Sequence, residues 1–248
     1  MNAIGILWLR ELRRYMRSRA QIIASLAQPV LYLVALGFGL EPVFRRAGEG
    51  SYVQFVAPGV VAMTILFSST FSGIGLLWDR QFGFLKETLV APVPRIQVML
   101  GKVLGGATVA VVQGLLVGIV CLVAGFRVRH VLAIPAALLF MALIAIVFAA
   151  MGAAIGASLE NMQGFQLIMN FLVTPIFFLS GALYPLNGLP KPFQIVTSLD
   201  PLSYGVDALR GVLLGVMHFG VVTDAVVLCC VGIVLLVIGS RLFARIQV

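Results

Sequence analysis

The sequence has little charge and few residues that could bind a metal or perform acid–base catalysis. Only 10% of its 248 residues are Asp, Glu, Lys or Arg, and it contains two histidines and three cysteines. Soluble domains usually carry about 25% charged residues, so this composition argues against a water-soluble globular enzyme. Hydrophobic residues make up 61% of the chain, which excludes intrinsic disorder. The sequence therefore predicts an integral membrane protein.

Motifs for catalysis, metal binding and nucleotide binding are absent from the sequence. His130 and His218 are isolated, and Cys121, Cys229 and Cys230 fall inside apolar runs without metal-ligand spacing. The sequence has no GxxxxGK[ST] phosphate-binding loop. Its apolar runs contain almost no ionisable residue of the kind that proton and ion relays need. We therefore expect no cofactor in this chain and an energy source in a partner.

Long runs without charge predict six membrane-spanning helices. A helix needs roughly 20 apolar residues to cross the hydrocarbon core, and a helix satisfies its own backbone hydrogen bonds there. The predicted spans are residues 21–40, 56–78, 103–126, 132–159, 165–184 and 221–240. We interpret the first as an uncleaved helix rather than a secretory signal peptide, because it begins late and is too long. The predicted fold class is all-α integral membrane, with residues 1–248 as a single domain.

The distribution of basic residues predicts that both termini are cytoplasmic. With the N-terminus inside, eleven basic residues lie on the inner side and six on the outer side, in agreement with the positive-inside rule. The inner group is Arg10, Arg13, Arg14, Arg17, Arg19, Arg80, Lys86, Arg95, Lys102, Arg241 and Arg245, and the outer group is Arg45, Arg46, Arg127, Arg129, Lys191 and Arg210. We therefore attribute the net charge of +8 to membrane topology and expect no nucleic-acid partner.

Residues 2–19 have the pattern of an amphipathic helix that lies at the membrane interface. At 100° per residue, one apolar stripe is formed by Ile4, Trp8, Leu12, Tyr15 and Met16. The opposite, basic side is formed by Arg10, Arg13, Arg14 and Arg17. We expect the apolar stripe to contact membrane lipid and the arginines to face anionic headgroups. The helix is either a topology anchor or a lever between a cytoplasmic partner and the first span, and the sequence leaves both interpretations open.

The loop from Asp79 to Lys102 is the only predicted cytoplasmic loop long enough to form an element of its own. Its apolar residues at helical spacing are Phe82, Leu85 and Leu89, and its more polar side carries Arg80, Lys86 and Glu87. Two prolines then end this predicted helix. The loop either lies on lipid headgroups or inserts its apolar face into a groove on another protein.

The outer segment, residues 185–215, is too apolar for an ordinary loop and is interrupted by Pro and Gly. This combination predicts short re-entrant helices before the sixth span. Asp207 and Arg210 are three residues apart, which predicts a local ion pair rather than a substrate contact. Aromatic residues near this segment form either a membrane-anchoring belt or part of a pathway. The candidate pathway or re-entrant residues are Phe171, Phe177, Phe178, Tyr184, Pro185, Tyr204, Asp207 and Arg210.

Four pairs of glycines have the GxxxG spacing that lets helix backbones approach closely in lipid. The pairs are Gly101/Gly105, Gly114/Gly118, Gly152/Gly156 and Gly211/Gly215. Because this spacing is common by chance in apolar sequence, it does not identify a specific interface.

Two stretches resemble the ABC type-2 permeases, the membrane subunits of bacterial ATP-binding-cassette exporters. FLKETLVAPVPRIQVMLGK resembles the coupling-helix region of that family, and FFLSGALYPLNGLP followed by LDPLSYGVDALRG resembles its C-terminal signature. The chain looks most similar to the daunorubicin-resistance and nodulation-factor (NodJ-like) branch, over nearly its whole length. The resemblance implies two permease chains, expected as a homodimer, with two copies of a separate ATPase subunit that bind ATP and Mg.

The resemblance further implies that helix 80–90 docks on the ATPase and that the protein exports a substrate across the bacterial plasma (inner) membrane. The nearly charge-free spans favour a hydrophobic or amphipathic cargo, such as a drug-like metabolite or lipid, over a polysaccharide or lipo-oligosaccharide. A remoter alternative is a membrane-embedded lipid-modifying enzyme, which would need clustered polar groups at one membrane face. A structural protein without transport would leave residues 79–102 unexplained.

Overall fold

The computed structural model describes residues 3–46, 50–83, 93–186 and 190–244, which form helices joined by short connections. In chain order the helices are α1 (Ala3–Arg17), α2 (Arg19–Tyr32), α3 (Glu41–Arg46), α4 (Tyr52–Phe71), α5 (Ile74–Gln81), α6 (Arg95–Val123), α7 (Ile134–Ser158), α8 (Met162–Leu179), α9 (Lys191–Leu199), α10 (Pro201–Leu214) and α11 (Val221–Ala244). A π-helical turn, Leu33–Phe38, continues α2, and a 3-10 turn, Val131–Ala133, leads into α7. The described part of the chain has no strand, so the predicted all-α class is confirmed.

Among the described residues, six helical segments are long and apolar enough to cross a membrane, which confirms the predicted number of spans. They are Arg19–Arg46, Tyr52–Gln81, Arg95–Val123, Val131–Ser158, Met162–Leu179 and Val221–Ala244. The second segment consists of α4 and α5, which meet at a turn formed by Ser72 and Gly73. Each segment overlaps one of the charge-free runs in the sequence, because a helix that crosses lipid must keep charged side chains out of the hydrocarbon core.

The central helix of the bundle is α4. Within the second span, which begins with α4, 72% of the apolar window is buried inside the protein, whereas the corresponding value is 17% for the first and sixth spans. α4 contacts α6, α7 and α10, and its side chains Met63, Ile65 and Leu66 are fully buried. The outer spans therefore present their apolar side chains to lipid or to another chain.

The contact between α7 and the α4–α5 turn is made backbone to backbone. A Cβ on Gly152 would lie 2.9 Å from the carbonyl carbon of Thr70 and closer still to its oxygen, and a Cβ on Gly73 would overlap the carbonyl group of Gly152. Glycine at both positions therefore allows an approach that any side chain would prevent. By contrast, nothing lies within 4 Å of a Cβ on Gly118.

α9 and α10 lie between the fifth and sixth spans, where the sequence predicts re-entrant helices. They contain 9 and 14 residues, too few to cross the membrane. The Asp200 carboxylate accepts a hydrogen bond from the Leu202 N–H at 2.8 Å and thereby caps α10. α10 is buried against α4, α7 and α11. Two short helices are thus present in this segment, while their depth in the membrane stays a prediction.

Candidate functional site

α1 packs against the first half of α6. A Cβ on Gly101 would lie only 2.8 Å from the Cβ of Leu7, and Gly105 is equally crowded by α1. The Trp8 Nε1 donates a hydrogen bond to the Thr108 Oγ1 at 2.9 Å. The amphipathic pattern predicts lipid contact for the Trp8 stripe, whereas the structure places Trp8 against protein. The Gly101/Gly105 pair thus allows α1 to approach α6 closely within the protein.

Asp79 joins α1, α5 and α6. Its carboxylate on α5 accepts hydrogen bonds from Arg10 Nη2 on α1, at 2.7 Å, and from Lys102 Nζ on α6. The side chains of Asp79 and Lys102 are each only 11% exposed. Buried charges need a partner of opposite sign, so this Asp79 cluster (Arg10, Asp79, Lys102) holds α1, α5 and α6 in a fixed arrangement.

Glu11 extends the Asp79 cluster along α1. Its carboxylate accepts from Arg10 Nη2 at 3.3 Å and from Arg14 Nη2 at 2.9 Å. Burial disfavours the charged form of Arg10, but the hydrogen bond and charge of Asp79, together with Glu11, raise the pKa of Arg10 above its ordinary value. Arg13 and Arg17 are exposed on α1. Their predicted contact with headgroups stays a prediction, while Arg10 is bound within the protein.

Arg80 and Phe82 are the two predicted docking residues that the structure describes. Arg80 belongs to the last turn of α5, donates to the carbonyl of Leu159 at 3.2 Å and pairs with Glu160 at 3.1 Å in the α7–α8 connection. Phe82 is 62% exposed and stacks on Trp78 with ring centroids 5.2 Å apart. The other predicted docking residues, Leu85, Lys86, Glu87 and Leu89, lie outside the described residues.

At the opposite end of the bundle, Asp207 and Arg210 bind different partners. The Asp207 carboxylate accepts from two backbone N–H groups of the α10–α11 connection at 2.7–2.9 Å. The Arg210 guanidinium carbon lies 3.9 Å from the centre of the Phe55 ring, and its Nη2 donates to the carbonyl of Gly181 at 3.1 Å. Within the described range 190–244 the two side chains form no direct salt bridge, although the negative charge of Asp207 still acts on Arg210, so the predicted local pair is an attraction at longer range rather than a contact. For both side chains, direct contacts with other parts of the fold replace a direct contact with the i,i+3 neighbour.

The predicted aromatic pathway residues of the fifth span point in different directions. Phe177 is buried and packs edge-on against Tyr32 and Phe67, with ring centroids 5.9 and 6.3 Å apart. Phe171 is 85% exposed and Phe178 is 47% exposed. These side chains therefore do not line one common cavity within a single described chain.

A cavity of about 410 Å³, which we name the outer cavity after the predicted orientation of the chain, is lined by three of the other predicted pathway residues, Pro185, Asp207 and Arg210. Tyr184 immediately precedes Pro185 in the chain and is partly buried. Tyr204 does not line this cavity, and its hydroxyl donates to a carbonyl in α9 at 2.8 Å. The structure thus brings together only part of the predicted set.

A cavity of about 450 Å³, which we name the inner cavity after the predicted orientation of the chain, lies between α1, α2, α4 and α6, at the end of the bundle that carries the Asp79 cluster. Its polar wall residues include Tyr15, Gln21, Ser25, Gln28, Ser68 and Gln113. The i, i+4, i+7 spacing of Gln21, Ser25 and Gln28 places these three on one face of α2. Nothing local relates that face to Tyr15, Ser68 or Gln113 on other helices, so the sequence does not predict the site. Asp79 and Lys102 are also not among the predicted site residues, although they are the first and last residues of the predicted loop 79–102.

Comparison with known proteins places the chain among membrane transport proteins. Residues 2–214 match the family model described as ABC-2 type transporter. The chain is 31% identical to Nodulation protein J of Rhizobium leguminosarum bv. viciae over 99% of its length and 96% of the relative's. It is 32% identical to Nodulation protein J of Rhizobium meliloti (strain 1021) over 91% and 86%. It is 27% identical to the inner membrane transport permease YadH of Escherichia coli (strain K12) over 89% and 86%.

Proposed function

Because this chain belongs to the ABC-2 type transporter family, we propose that it is the permease subunit of an ATP-driven exporter in a bacterial inner membrane. In this proposal two copies of a separate ATPase subunit bind ATP and Mg and supply the energy. A second copy of this chain completes the membrane part as a homodimer. The family match supports an ATP-binding partner, and the largely exposed outer spans leave surface for a second chain.

The observation that carries the energy-coupling part of the proposal is the Asp79 cluster. The loop 82–94 is bordered by α5 and α6, and Asp79 binds both α6 and α1 through buried charges. Packed elements with satisfied buried charges move as units rather than deforming continuously. A force that the ATPase applies to the loop would therefore displace α1, α5 and α6 together.

The substrate in this proposal is hydrophobic or amphipathic, such as a drug-like metabolite or a lipid. The six spans are strongly apolar, and the inner cavity combines polar and aromatic side chains. A polysaccharide or lipo-oligosaccharide is the alternative, for which a continuous aromatic lining would be expected. In one chain that lining is divided between exposed Phe171 and buried Phe177, so we retain the amphipathic substrate.

Leu85→Asp is expected to release the ATPase from the membrane while the permease stays inserted and folded. Leu85 lies on the predicted apolar face that enters a groove on the ATPase. Truncating a fully buried anchor often costs about 2 kcal/mol, roughly a 30-fold loss of affinity. The measurement is co-purification of the two subunits, together with stimulation of ATP hydrolysis by substrate.

The matched control for the docking helix is Gln97→Asp. It introduces the same charge beyond the proline break, at a partly buried residue near the start of α6, and should reduce co-purification much less. If Leu85→Asp leaves both co-purification and stimulation intact, the loop lies on headgroups and the docking role is rejected.

The proposed orientation places both termini in the cytoplasm. In a cysteine-free background, an impermeant maleimide should label Arg46→Cys in intact spheroplasts, because residue 46 follows the first span on the outer side. Lys86→Cys should react only after permeabilisation. The reverse pattern, with position 86 labelled and position 46 protected in intact spheroplasts, would invert the topology.

A further inference from the structure

Asp224 is the only charged residue in the six spans that the sequence predicts. It lies in the first turn of α11, near the outer end of the sixth span. Its side chain is fully buried, and neither of its carboxyl oxygens has a hydrogen-bond partner in the described part of the chain. Ionisable residues inside a membrane are costly and usually serve a function.

The helices that pack against α11 bring no described basic side chain into contact with Asp224. These helices are chiefly α7, α10 and α6. No residue of α7 is ionisable, and the basic residues of α6, Arg95 and Lys102, lie at the opposite end of the bundle. Arg210 on α10 is bound to an aromatic ring and a backbone carbonyl. Arg129, in the α6–α7 connection, packs against the end of α10.

The acidic and aromatic neighbours of Asp224 do not stabilise a negative charge either. The charge of Asp207 on α10 acts on Asp224 and opposes a second negative charge there. The Asp207 carboxylate, by contrast, is stabilised by hydrogen bonds from the backbone N–H groups of His218 and Phe219. Tyr204 is close enough to interact electrostatically with Asp224, but its hydroxyl donates to a carbonyl in α9.

The position of Asp224 at the N-terminus of α11 does not compensate for burial of its charge. A helix N-terminus favours acidic side chains, but no described backbone N–H donates a hydrogen bond to this carboxyl group. The desolvation of an unpaired carboxylate costs far more than the helix dipole contributes. A buried acid without a partner avoids this cost by carrying a proton.

We propose that Asp224 is a proton-binding site that holds a proton while α10 and α11 are packed together and releases it to the outer side when they separate. On separation, water reaches the carboxyl group and its O–H bond breaks. The bonding electron pair stays on the carboxylate, and the proton passes to water. This inference rests on the proposed transport function, in which the outer end opens to release the substrate.

The bound proton links the packing of the outer end to pH. An Asp side chain in water ionises with a pKa of about 3.9, so a hydrated Asp224 is ionised at neutral pH. Because the packed state binds the proton more tightly than the open state, acid pH stabilises the packed state. This stabilisation is lost as the pH rises through the range in which the packed carboxyl group ionises. Alkaline pH should therefore favour separation of α10 and α11.

The charge of Asp224 can be measured directly, because the sequence contains only four aspartates: Asp79, Asp200, Asp207 and Asp224. Permease with [4-13C]aspartate, purified in dodecyl maltoside, gives their side-chain carboxyl signals by 13C NMR, and each signal is assigned by a change to Asn. At pH 7 we expect Asp224 at the position of a protonated carboxyl group and Asp207 at the ionised position. An ionised Asp224 would overturn the proposal, and an ionised signal that moves on addition of NaCl but not choline chloride would indicate a sodium site instead.

Release of the proton is tested with a reporter on α10. Ser203 is fully buried and its hydroxyl has no hydrogen-bond partner in the described chain, so Ser203→Cys loses no bond. It is introduced after replacing Cys121, Cys229 and Cys230 with alanine. Maleimide labelling is compared, at each pH from 6 to 9, between proteins with Asp224 and with the uncharged Asp224→Asn, so that ionisation of the thiol cancels. We expect a rate ratio near 1 at pH 6 that rises roughly fivefold or more by pH 9.

Asp200→Asn is the matched control, because Asp200 is another buried aspartate with an oxygen that has no hydrogen-bond partner in the described chain. Burial raises the pKa of Asp200 to about 7, so it ionises in the same pH range. Asparagine retains an oxygen that can accept from the Leu202 N–H at the start of α10. We expect the rate ratio to rise unchanged when Asp200→Asn is present in both proteins.

Two labelling results would overturn the release of the proton from Asp224. A rate ratio near 1 at every pH would show that the proton does not control the packing of α10 and α11. Loss of the rise on addition of Asp200→Asn would transfer the role to Asp200. Both measurements use the permease without ATPase or nucleotide, so their failure leaves the docking result with Leu85→Asp unaffected, and a failure of docking leaves them intact.

Discussion

Gly152→Ala should prevent the membrane bundle from reaching its folded state. The added methyl group would lie 2.9 Å from the carbonyl carbon of Thr70 and closer to its oxygen, and both are backbone atoms rather than the end of a flexible side chain. Overpacking of a well-packed interior typically costs about 1–3 kcal/mol and more where backbone blocks relaxation. Because α4 is the central helix, separating α7 from it disturbs the whole core. We expect the variant to be lost from the monodisperse fraction in size-exclusion chromatography.

Gly118→Ala is the matched control for this prediction. It makes the same change on α6, in a second GxxxG pair, where no atom lies within 4 Å of the new methyl group. Alanine favours helix over glycine by roughly 1 kcal/mol, so the control should accumulate at least as well as the parent protein. A normal yield of monodisperse Gly152→Ala protein would show that the close contact is not required.

The number of spans can be predicted from the sequence because the apolar stretch that a span requires is visible along the chain without knowledge of the fold. A helix that crosses the hydrocarbon core must avoid charge over about 20 residues, and the runs before Glu41 and after Ser51 obey it. GxxxG spacing is less informative, since it does not distinguish Gly152, which contacts backbone, from Gly118, which faces open space. That distinction depends on which helices become neighbours.

The charged contacts show where local pattern stops being predictive. Asp79 is separated by 69 residues from Arg10 and by 23 from Lys102, so no helical period relates them. Asp207 and Arg210 have the correct local spacing and nevertheless bind other elements. Spacing describes which residues share a face, whereas pairing is decided by the lowest free energy among all contacts that the fold allows.

For a related reason, the inner cavity could not be predicted from the sequence. Gln28 shares one face of α2 with Gln21 and Ser25, and Gln113 interrupts the apolar run of α6. Each pattern is compatible with contact to water, to a neighbouring helix or to a ligand. Only the packing of α2 against α6 places both on the same wall. A site assembled from four helices therefore requires the tertiary structure for its detection.

Asp79→Leu should destabilise the protein strongly, and Lys102→Met should restore much of that stability in the double variant. Removing one partner of a buried ion pair typically costs about 3–5 kcal/mol, because the remaining charge is left unpaired. For a chain of this size such a loss lowers the midpoint of thermal unfolding by roughly 6 °C or more. Replacing both charges with apolar side chains is often neutral, and Arg10 keeps Glu11 as its partner in the double variant. Glu160→Gln, which removes an exposed partner of Arg80, should change the midpoint little.

The double variant also distinguishes an effect on stability from an effect on energy coupling between the ATPase and the membrane helices. If the Asp79 cluster transmits force from the ATPase, Asp79→Leu with Lys102→Met should regain its unfolding midpoint and still bind the ATPase, because the loop 82–94 is unaltered. Stimulation of ATP hydrolysis by substrate should nevertheless stay low, since the charge contacts among α1, α5 and α6 are gone. Full recovery of stimulation together with stability would show that the cluster only stabilises the fold, and the transmission role would be withdrawn.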